Sequence, residues 1–575
     1  MLSGALVVGF SLVPGMSALA QEVIADESAA VHISKETEAL SGSLKTNPLL
    51  DAWIKIASTG EVTVFTGKVE LGTGVRTALL QVVVEELNMA PSLITFLTAD
   101  TGLSLDEGLT AGSHTIADSG TALLNSAAQV CALLVGAAAQ RLGVDSAKLE
   151  TRDAKIIAPD GHVVTYGEAV QSVDLHRDAT PTSPLKDPHT FKVIGTSMPR
   201  LDIPGKLTGA VSYVQDHMPN MVHARVVLPH AYDAALLESN EAEVMKMSGV
   251  VKVVRNGNFL AVVAKGEWQA VVAQRALSSG SRWSAGRPLP NPGTVHRDLK
   301  TIATQHIEIA NTHAPAAPAV TTLSASYIKS YLMHGSIGPS CSVALPGQPV
   351  RVQWMRDQEH TWDHFTPAMI TEVSASLDVQ GRIVDWNYAL WSSSHNERIV
   401  NAGRLTPATQ LAKPFVSAPS TPMLHPEGGG DRNAIPLYAL PNVHVMNNFS
   451  PTMPLRTSAM RSLGAHTNVF AIESFMDELA FAAHTDPVEF RLKHLQDPRA
   501  QDVIRLAAKE FGWPLPPRQA NNGVGFAFGK YKNLMAYVAI ALELSVELET
   551  GQVRVEHAVA AVDSERTDRQ SRRYP

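Results

Sequence analysis

The alternation of apolar and polar side chains divides this chain into stretches of different period. Trp53 to Thr66 alternates with period two around a Thr59-Gly60 turn, the pattern of two half-buried strands. Arg76 to Leu87 changes to helical spacing, and Leu93 to Leu97 reads as a strand. Ala122 to Leu142 is an alanine-rich helix with apolar residues on most sides, which predicts burial. Residues 144–190 hold a short strand pair about Asp160-Gly161 and then Pro and Thr clusters of linker type. From Phe191 to Trp283 the texture is that of a small α/β domain. Its strands are expected at Val211–Val214, His223–Val227, Val250–Val254 and Leu260–Val263, with a helix over Glu267–Leu277. Residues 288–318 are proline-rich and read as a connector. Strands return at Val350–Met355, Val373–Val379 and Trp386–Trp391, and 400–460 is loop-rich. Asn468 to Ala483 is an amphipathic helix. Asp486-Pro487-Val488-Glu489 opens another, with Asp as N-cap, Pro in the first turn and Glu in the capping-box position.

Composition narrows the classes. The 575 residues allow several domain-sized units, and 45% hydrophobic with 18% charged residues describes a globular protein. A net charge of −8 with no basic stripe argues against nucleic acid as a partner. The two cysteines, Cys131 and Cys341, cannot supply the thiolates of an iron–sulfur cluster or the attachment site of a c-type haem. Electrons from any redox reaction must therefore leave through something else. The first twenty residues carry no charged side chain and end in Ala18-Leu19-Ala20 before Gln21, the shape of a signal-peptidase site. Pro14 interrupts the run, which argues against a membrane anchor. No Lys or Arg precedes the run, so an export signal lacking its basic start is expected over 1–20, followed by a polar segment over 21–50. A periplasmic or otherwise exported protein follows, with no membrane span once the signal is removed.

Two glycine- and hydroxyl-rich turns, each leading into a helix, carry the candidate chemistry. The first is T-G-K-V-E-L-G-T-G-V-R-T-A, with Gly72, Thr73 and Gly74. The second is L-T-A-G-S-H-T-I-A-D-S-G-T, with Gly112, Ser113, His114 and Thr115. A helix start presents unpaired N–H groups and partial positive charge, so two such starts suit one large phosphorylated cofactor. Gly72-x-Gly74 is also part of a dinucleotide fingerprint, but position 77 is Thr where the third glycine belongs, and a purely structural glycine turn is another reading. Arg456 and Arg461, just ahead of Gly464 and a helix, suit oxyanion or phosphate contacts, or are surface charges. His360 and His364 are spaced i, i+4 among Asp357, Glu359 and Asp363, which reads as a solvated polar face rather than a metal site. No G-x-S-x-G elbow occurs, and Cys131 within an apolar helix reads as core.

Several blocks recur in one order. They are N-P-L-L-D-A-W-I-K-I with T-G-K-V-E-L-G-T-G-V-R-T-A-L-L-Q, then V-I-G-T-S-M-P-R-L-D-I-P-G-K-L-T-G-A, Y-L-M-H-G-S-I-G-P-S-C-S-V-A, and P-L-R-T-S-A-M-R-S-L-G-A-H-T-N-V-F-A-I-E-S-F-M-D-E-L-A. Together they resemble the molybdopterin-binding large subunit of the xanthine dehydrogenase/aldehyde oxidase family, in the rearranged type of isoquinoline 1-oxidoreductase beta subunits and their nicotinate dehydrogenase counterparts. The resemblance implies an α+β, multi-domain molybdopterin-binding subunit with an inserted α/β hammerhead-like domain. Its first cofactor portion would span 51–175, the hammerhead-like domain 190–285, a linker 286–318, the remaining cofactor portions 319–562, and an off-pattern tail 563–575.

The implied reaction is hydroxylation of an N-heteroaromatic compound, or of an aldehyde, with water as oxygen source. The cofactor would be molybdopterin or its cytosine dinucleotide form, with no metal held directly by protein ligands. A separate 2Fe-2S subunit and a cytochrome c would accept the electrons. Carried over by motif, Gly72, Thr73 and Gly74 approach the dithiolene or phosphate side, and Gly112, Ser113, His114 and Thr115 line the pterin. Arg461 matches the arginine of F-R-G-F-G-G-P-Q, while Arg398 and Leu463 stand on the substrate side. Thr73 replaces the glutamine of the family's G-Q-G, and Leu463 stands where an aromatic residue stacks on substrate. C-S-V-A-L abuts P-G-Q-P-V-R where the family carries a longer segment. The G-A-G-E motif, whose glutamate is the family's general base, does not occur, so no catalytic residue is assigned. A truncated or frameshifted gene product is therefore expected. An inactive homologue that binds only a partner is the alternative reading, and a nicotinamide-dependent dehydrogenase the third.

Overall fold

The computed structural model describes residues 39–210, 213, 216, 218–302, 304–345, 347–397, 405–514 and 521–564. The signal-like segment, most of the expected Val211–Val214 strand, Arg398 and the tail beyond 564 lie outside the described residues. The chain divides into two compact units, one up to Asp216 and one from residue 217 on.

In the first unit β1 (Ile54–Ile56) pairs antiparallel with β2 (Val62–Thr66), Ile54 opposite Val64, as the alternation predicts. From β2 the chain crosses through α1 (Val75–Leu87) to β3 (Ile94–Thr98), which lies parallel to β2. A π-helical turn, Thr115–Gly120, runs into α2 (Thr121–Leu142). Thr115–Leu142 is the one helix among the described residues long and apolar enough to cross a bilayer, and here it is the central helix of a core. Its Ala122, Leu123, Ala127, Val130 and Leu134 are buried in one cluster with Leu79, Leu80 and Val83 of α1. Cys131 lies in this core with its sulfur 3.7 Å from the Tyr166 hydroxyl, as an apolar helix position predicts. β4 (Glu150–Arg152), β5 (Lys155–Ile157) and β6 (Val163–Thr165) form a small antiparallel sheet.

The start of the expected small domain belongs to this first unit. The buried Glu85 carboxylate accepts the amides of Lys192, Val193 and Ile194 at 2.9, 2.6 and 3.0 Å and draws that segment onto α1. Gln81 adds bonds to the carbonyls of Val193 and Thr196.

The second unit opens with β7 (Val222–Val227), β8 (Leu236–Glu238), β9 (Val250–Asn256) and β10 (Phe259–Ala264). α3 (Glu267–Ser279) and β11 (Arg282–Trp283) follow. Ala273 and Leu277 of α3 cluster with Val227, Leu260 and Val262 on one face of the sheet. β12 (Gln305–Thr312) then lies inside the stretch expected to be linker. Its Q-H-I-E-I-A-N-T is too short, between proline-rich flanks, to show its period, and only the pairing with a distant strand makes it regular. β13 (Thr321–Lys329) is next. β14 (Cys341–Ala344) and β15 (Val350–Gln353) form a hairpin across the abutted sequence blocks. They join the first sheet in the order β14-β15-β7-β10-β9, so the small domain draws strands from beyond the linker.

α4 (Arg356–Trp362) leads to β16 (Met369–Leu377), β17 (Ile383–Ser393) and β18 (Val443–Ser450), which complete a sheet ordered β12-β18-β17-β16-β13. β18 falls in the stretch expected to be loop. α5 (Ala465–Ala482), α6 (Pro487–Lys493) and α7 (Pro498–Phe511) pack one core between this sheet and the antiparallel β19 (Asn522–Tyr531), β20 (Met535–Glu547) and β21 (Gln552–Asp563). Asp486 caps α6 as the sequence predicts, accepting the amides of Val488 and Glu489 at 2.8 and 3.2 Å. Arg491, fully buried on α6, donates to the Glu473 carboxylate (2.8 Å), the Glu473 carbonyl (2.9 Å) and Asp477 (2.7 Å).

Candidate functional site

In the first unit the two glycine turns are laced together by the residues before them. Thr66 and the Gly67 amide donate to the Glu107 carboxylate at 2.6 and 2.8 Å. The Val69 amide donates to the Thr110 hydroxyl at 2.8 Å, and the buried Lys68 ammonium to the Leu109 carbonyl at 3.1 Å. The first turn is not the open anion site that a helix start predicts. Gly74, at φ 84°, is the N-cap of α1, and the Glu70 carboxylate folds back onto the turn. It accepts the amides of Gly72, Gly74 and Arg76 at 2.6, 3.0 and 3.1 Å. The chain thus supplies its own anion at this helix start. Burial would raise the Glu70 carboxyl, but those three amides and the Arg200 charge outweigh it and leave the group below the usual carboxylate range.

Arg200 closes the turn from its other side. It donates to the Gly72 carbonyl at 2.7 Å and grips Asp202 through Nε (3.0 Å) and Nη2 (2.7 Å). The Arg200 contact, with Lys206 also at 2.7 Å, holds Asp202 far below its ordinary value despite some burial. The second turn is more open. Gly112 and Ser113 are both left-handed, at φ 71° and 67°, and lead through His114 into the π-helical turn. His114 Nδ1 lies 2.9 Å from Asp118 across that turn. The Thr115 side chain is half-buried and Ser113 is exposed. Single π turns within helices recur at functional sites.

In the second unit, sequence reasoning missed the loop that orders the arginine turn. Gly428-Gly429-Gly430-Asp431-Arg432-Asn433 lies against the start of α5. The Gly464 amide donates to the Gly429 carbonyl at 3.0 Å, and a Cβ on Gly464 would sit 2.1 Å from the Gly430 carbonyl oxygen. Asn468 donates to the carbonyls of Gly430 and Arg432, both at 2.8 Å, and accepts from Tyr388 at 2.9 Å. Asp431 accepts the amides of Gly429 and His425 from within the loop, while burial raises its carboxyl against those bonds. The signal for this loop was its three consecutive glycines. Upstream, His334 Nε2 bonds the Ala459 carbonyl at 2.7 Å and Nδ1 lies 3.1 Å from Asp363. The stretch from 456 to 464 is therefore held at both ends, with Ser462 and Leu463 forced to φ 77° and 52°. Arg461, at its crest, is exposed and makes no ion pair or hydrogen bond among the described residues.

The remaining expectations divide. Arg456 turns inward, over the rings of Tyr232 and Trp362, rather than outward as a surface charge. His364 is buried at 4% exposure and lies beyond the end of α4, so it and the exposed His360 do not share a polar face. No cluster of three metal-ligating side chains occurs among the described residues.

Two family models, both described as a molybdopterin cofactor-binding domain, match the chain over residues 19–200 and 429–495. These ranges contain both glycine turns and the Gly464 junction. The chain is 31% identical to a nicotinate dehydrogenase subunit of Pseudomonas putida, over 90% of this chain and 50% of that protein. It is 22% identical to the beta subunit of isoquinoline 1-oxidoreductase from Brevundimonas diminuta, over 89% of this chain and 79% of that protein. The chain belongs to the xanthine dehydrogenase family of molybdopterin-binding large subunits. It spans half the length of the first of these relatives and about four-fifths of the second. Among solved structures, aldehyde oxidoreductase from Desulfovibrio gigas is 15% identical over 61% of this chain and 51% of that one, with a TM-score of 0.41, too distant to argue from.

Molybdopterin carries phosphate and a polar ring system, which hydrogen-bond donors of a protein suit. The exposed Arg461 guanidinium, without an ion pair or hydrogen bond among the described residues, fits such a group, as do the hydroxyls of Ser113 and Thr115. The amides of Gly72 and Gly74 do not, because Glu70 already holds them.

Proposed function

We propose that this chain is the cofactor- and substrate-binding part of a molybdenum hydroxylase that oxidises an N-heteroaromatic compound, with an aldehyde as second choice and water as the oxygen source. The observation that carries this reading is the match to molybdopterin-binding domains over segments that contain both glycine turns and the exposed Arg461 ahead of Gly464. Molybdopterin, when bound, supplies a metal able to take two electrons from the substrate carbon and to activate water. The chain's own work is positioning. In the first unit Ser113 and Thr115 would offer hydroxyls to the cofactor, and in the second unit Arg461 would offer a charge suited to its anionic part. Glu70 and Arg200 keep the first turn rigid with Thr73 presented outward. The balance is R–H + H₂O → R–OH + 2H⁺ + 2e⁻. With two cysteines the chain cannot store those electrons, so a separate 2Fe-2S subunit and then a cytochrome take them. That several relatives are named as subunits supports the need for a partner. Ala18-Leu19-Ala20 supports export, so the complex is assigned to the periplasm.

The test is the molybdenum-to-protein ratio of the chain, purified from a host that makes molybdopterin and co-expresses an iron–sulfur partner. Near-stoichiometric metal, lost on Arg461→Ala, supports the reading. A metal-free chain overturns it and leaves a binding protein of this ancestry.

A further inference from the structure

The antiparallel sheet of β19, β20 and β21 has two apolar faces. One is core: Phe526, Phe528 and Tyr537 cluster with Ile504, Ala507 and Phe511 of α7. Polar groups of these strands lie on that side too. Glu543 is buried there, and His557 stacks on Phe511 with ring centroids 5.1 Å apart. The other face follows from the register, because successive side chains of a strand point to opposite sides. On it β20 presents Ile540, Leu542, Leu544 and Val546. Beside them β21 presents Val553, Val555, Ala558 and Ala560. On the other flank β19 presents only Gly523, Gly525 and Ala527. A sheet with one face in water alternates apolar and polar residues, and this one does not.

This second face is open. Ile540, Val553 and Val555 are 37%, 57% and 62% exposed, and none of the face's side chains belongs to a hydrophobic cluster among the described residues. A Cβ on Gly523 or Gly525 would meet nothing within 4 Å; only at Gly529 does the face end, against Val469 of α5. Residues 564–575, S-E-R-T-D-R-Q-S-R-R-Y-P, are too polar to suit it. Its relief is self-complementary. Leu544 stands between Gly523 and Val555, Leu542 between Gly525 and Ala558, and Ile540 between Ala527 and Ala560. β20 is therefore a ridge, β19 a trough and β21 a step of middle height. A two-fold axis along β20 would lay β21 of each copy over β19 of the other, Val555 above Gly523 and Ala558 above Gly525, with the β20 side chains interdigitating. The face measures about 30 Å by about 14 Å, from the rise per residue and the strand spacing. Two copies would bury roughly 1,000 Å² with the relief included, the low end for a specific interface. The face carries no charge that would select a partner of opposite sign.

We propose that this chain forms a two-fold dimer through the outer face of the β19–β20–β21 sheet, with the β21 side chains of each copy seated in the glycine trough of the other's β19. The same patch serves both copies, so the contact closes and association stops at two. Neither the cofactor nor the hydroxylase reading enters the argument.

The test is sedimentation velocity of the full chain between about 1 and about 100 μM, the range in which so small an interface saturates. A reversible monomer–dimer equilibrium is expected. Val555→Lys, at an exposed position, is expected to weaken it at least tenfold with the urea midpoint unchanged. Gly525→Val is the sharper variant. It fills the trough, so a seated partner is displaced and the dimer weakens at least tenfold, whereas unspecific adhesion of an apolar surface would strengthen. Gly525 is not left-handed and its Cβ position is empty, so this variant decides if Val555→Lys fails to fold. A monomer at every concentration, aggregates without a dimer, or a Gly525→Val chain that dimerises as well as the parent overturns the proposal. A monomeric chain that captures a co-expressed iron–sulfur subunit, and loses it on Val555→Lys, gives the face to that partner and overturns the proposal too.

Discussion

Replacing Glu70 by Ala tests whether α1 begins on an internal anion. The carboxylate accepts three amides, at 2.6, 3.0 and 3.1 Å. Hydrogen bonds to a charged group contribute roughly 1.5–3 kcal/mol each, which bounds the loss from above. The turn is accessible, so freed amides of Gly72 and Gly74 bond water instead, and the loss falls toward that of an N-cap, about 0.5–2 kcal/mol. Removing a negative charge from a helix start adds about 0.3–1 kcal/mol. The expected cost is about 2 kcal/mol, which raises opening of the turn about 30-fold. Hydrogen exchange of the peptide spanning 68–80, followed by mass spectrometry in the full chain, reads that opening directly. Glu70→Gln keeps one acceptor oxygen and should fall between Ala and the parent. The carboxyl is held below its usual range, so its contribution is present above its unfolded pKa and is lost as pH falls through the folded one. Parent and Glu70→Ala should therefore converge in acid. Exchange of this peptide unchanged within about twofold at neutral pH would refute the argument, since about 0.4 kcal/mol is all that leaves.

Three other outcomes follow from the second unit. Arg491→Met removes four donated bonds and leaves the Glu473 carboxylate buried with only Tyr438 and the Phe528 amide; urea unfolding should show a loss of about 3–5 kcal/mol, and under about 1 kcal/mol would contradict a coupled buried pair. Ser462→Gly relieves a left-handed residue at φ 77° where the family pattern has glycine, and should stabilise by about 0.5–1 kcal/mol in the same assay; a lower urea midpoint would show that the turn is unstrained. His395 is pushed down to about 3, by burial first and then by Lys329 and Arg432, so folding holds it neutral. Its contribution is full above the unfolded value of about 6.5 and is lost as pH falls toward the folded one, by up to about 1.4 kcal/mol per pH unit. His395→Gln should flatten the stability curve between about pH 6 and about pH 4, and an unaltered slope would exclude this histidine as a cause.

Local signals carried far in this chain. Period-two and helical spacing placed β1, β2, α1, α2 and β7 within a residue or two, and α5 within three, because each buries one face of its own sequence. Asp486 announced α6, because a cap is a contact between residues two or three apart. The order of motif blocks gave the family, and the shortage of cysteines is what the proposed electron-accepting partner rests on. Contacts between distant residues were not legible. β12 is regular through its pairing with β18, Gln305 opposite Phe449, and β18 through β12 and β17 on its two sides.

The same division runs through the candidate site. The chain by itself determined that two glycine turns lead into helices and that an arginine precedes Gly464. Tertiary structure decided that Glu70 and Arg200 close the first turn, and that Arg456 turns in over Tyr232 and Trp362 while Arg461 stays out. It also decided that Gly428–Asn433 pins the start of α5. The reason is physical: a helix start attracts any anion within reach, and a guanidinium goes to whichever ring, carbonyl or carboxylate the fold brings beside it. Sequence spacing sets which groups exist, but those choices are made across 128 positions for Arg200 and Gly72, and 94 for Arg456 and Trp362.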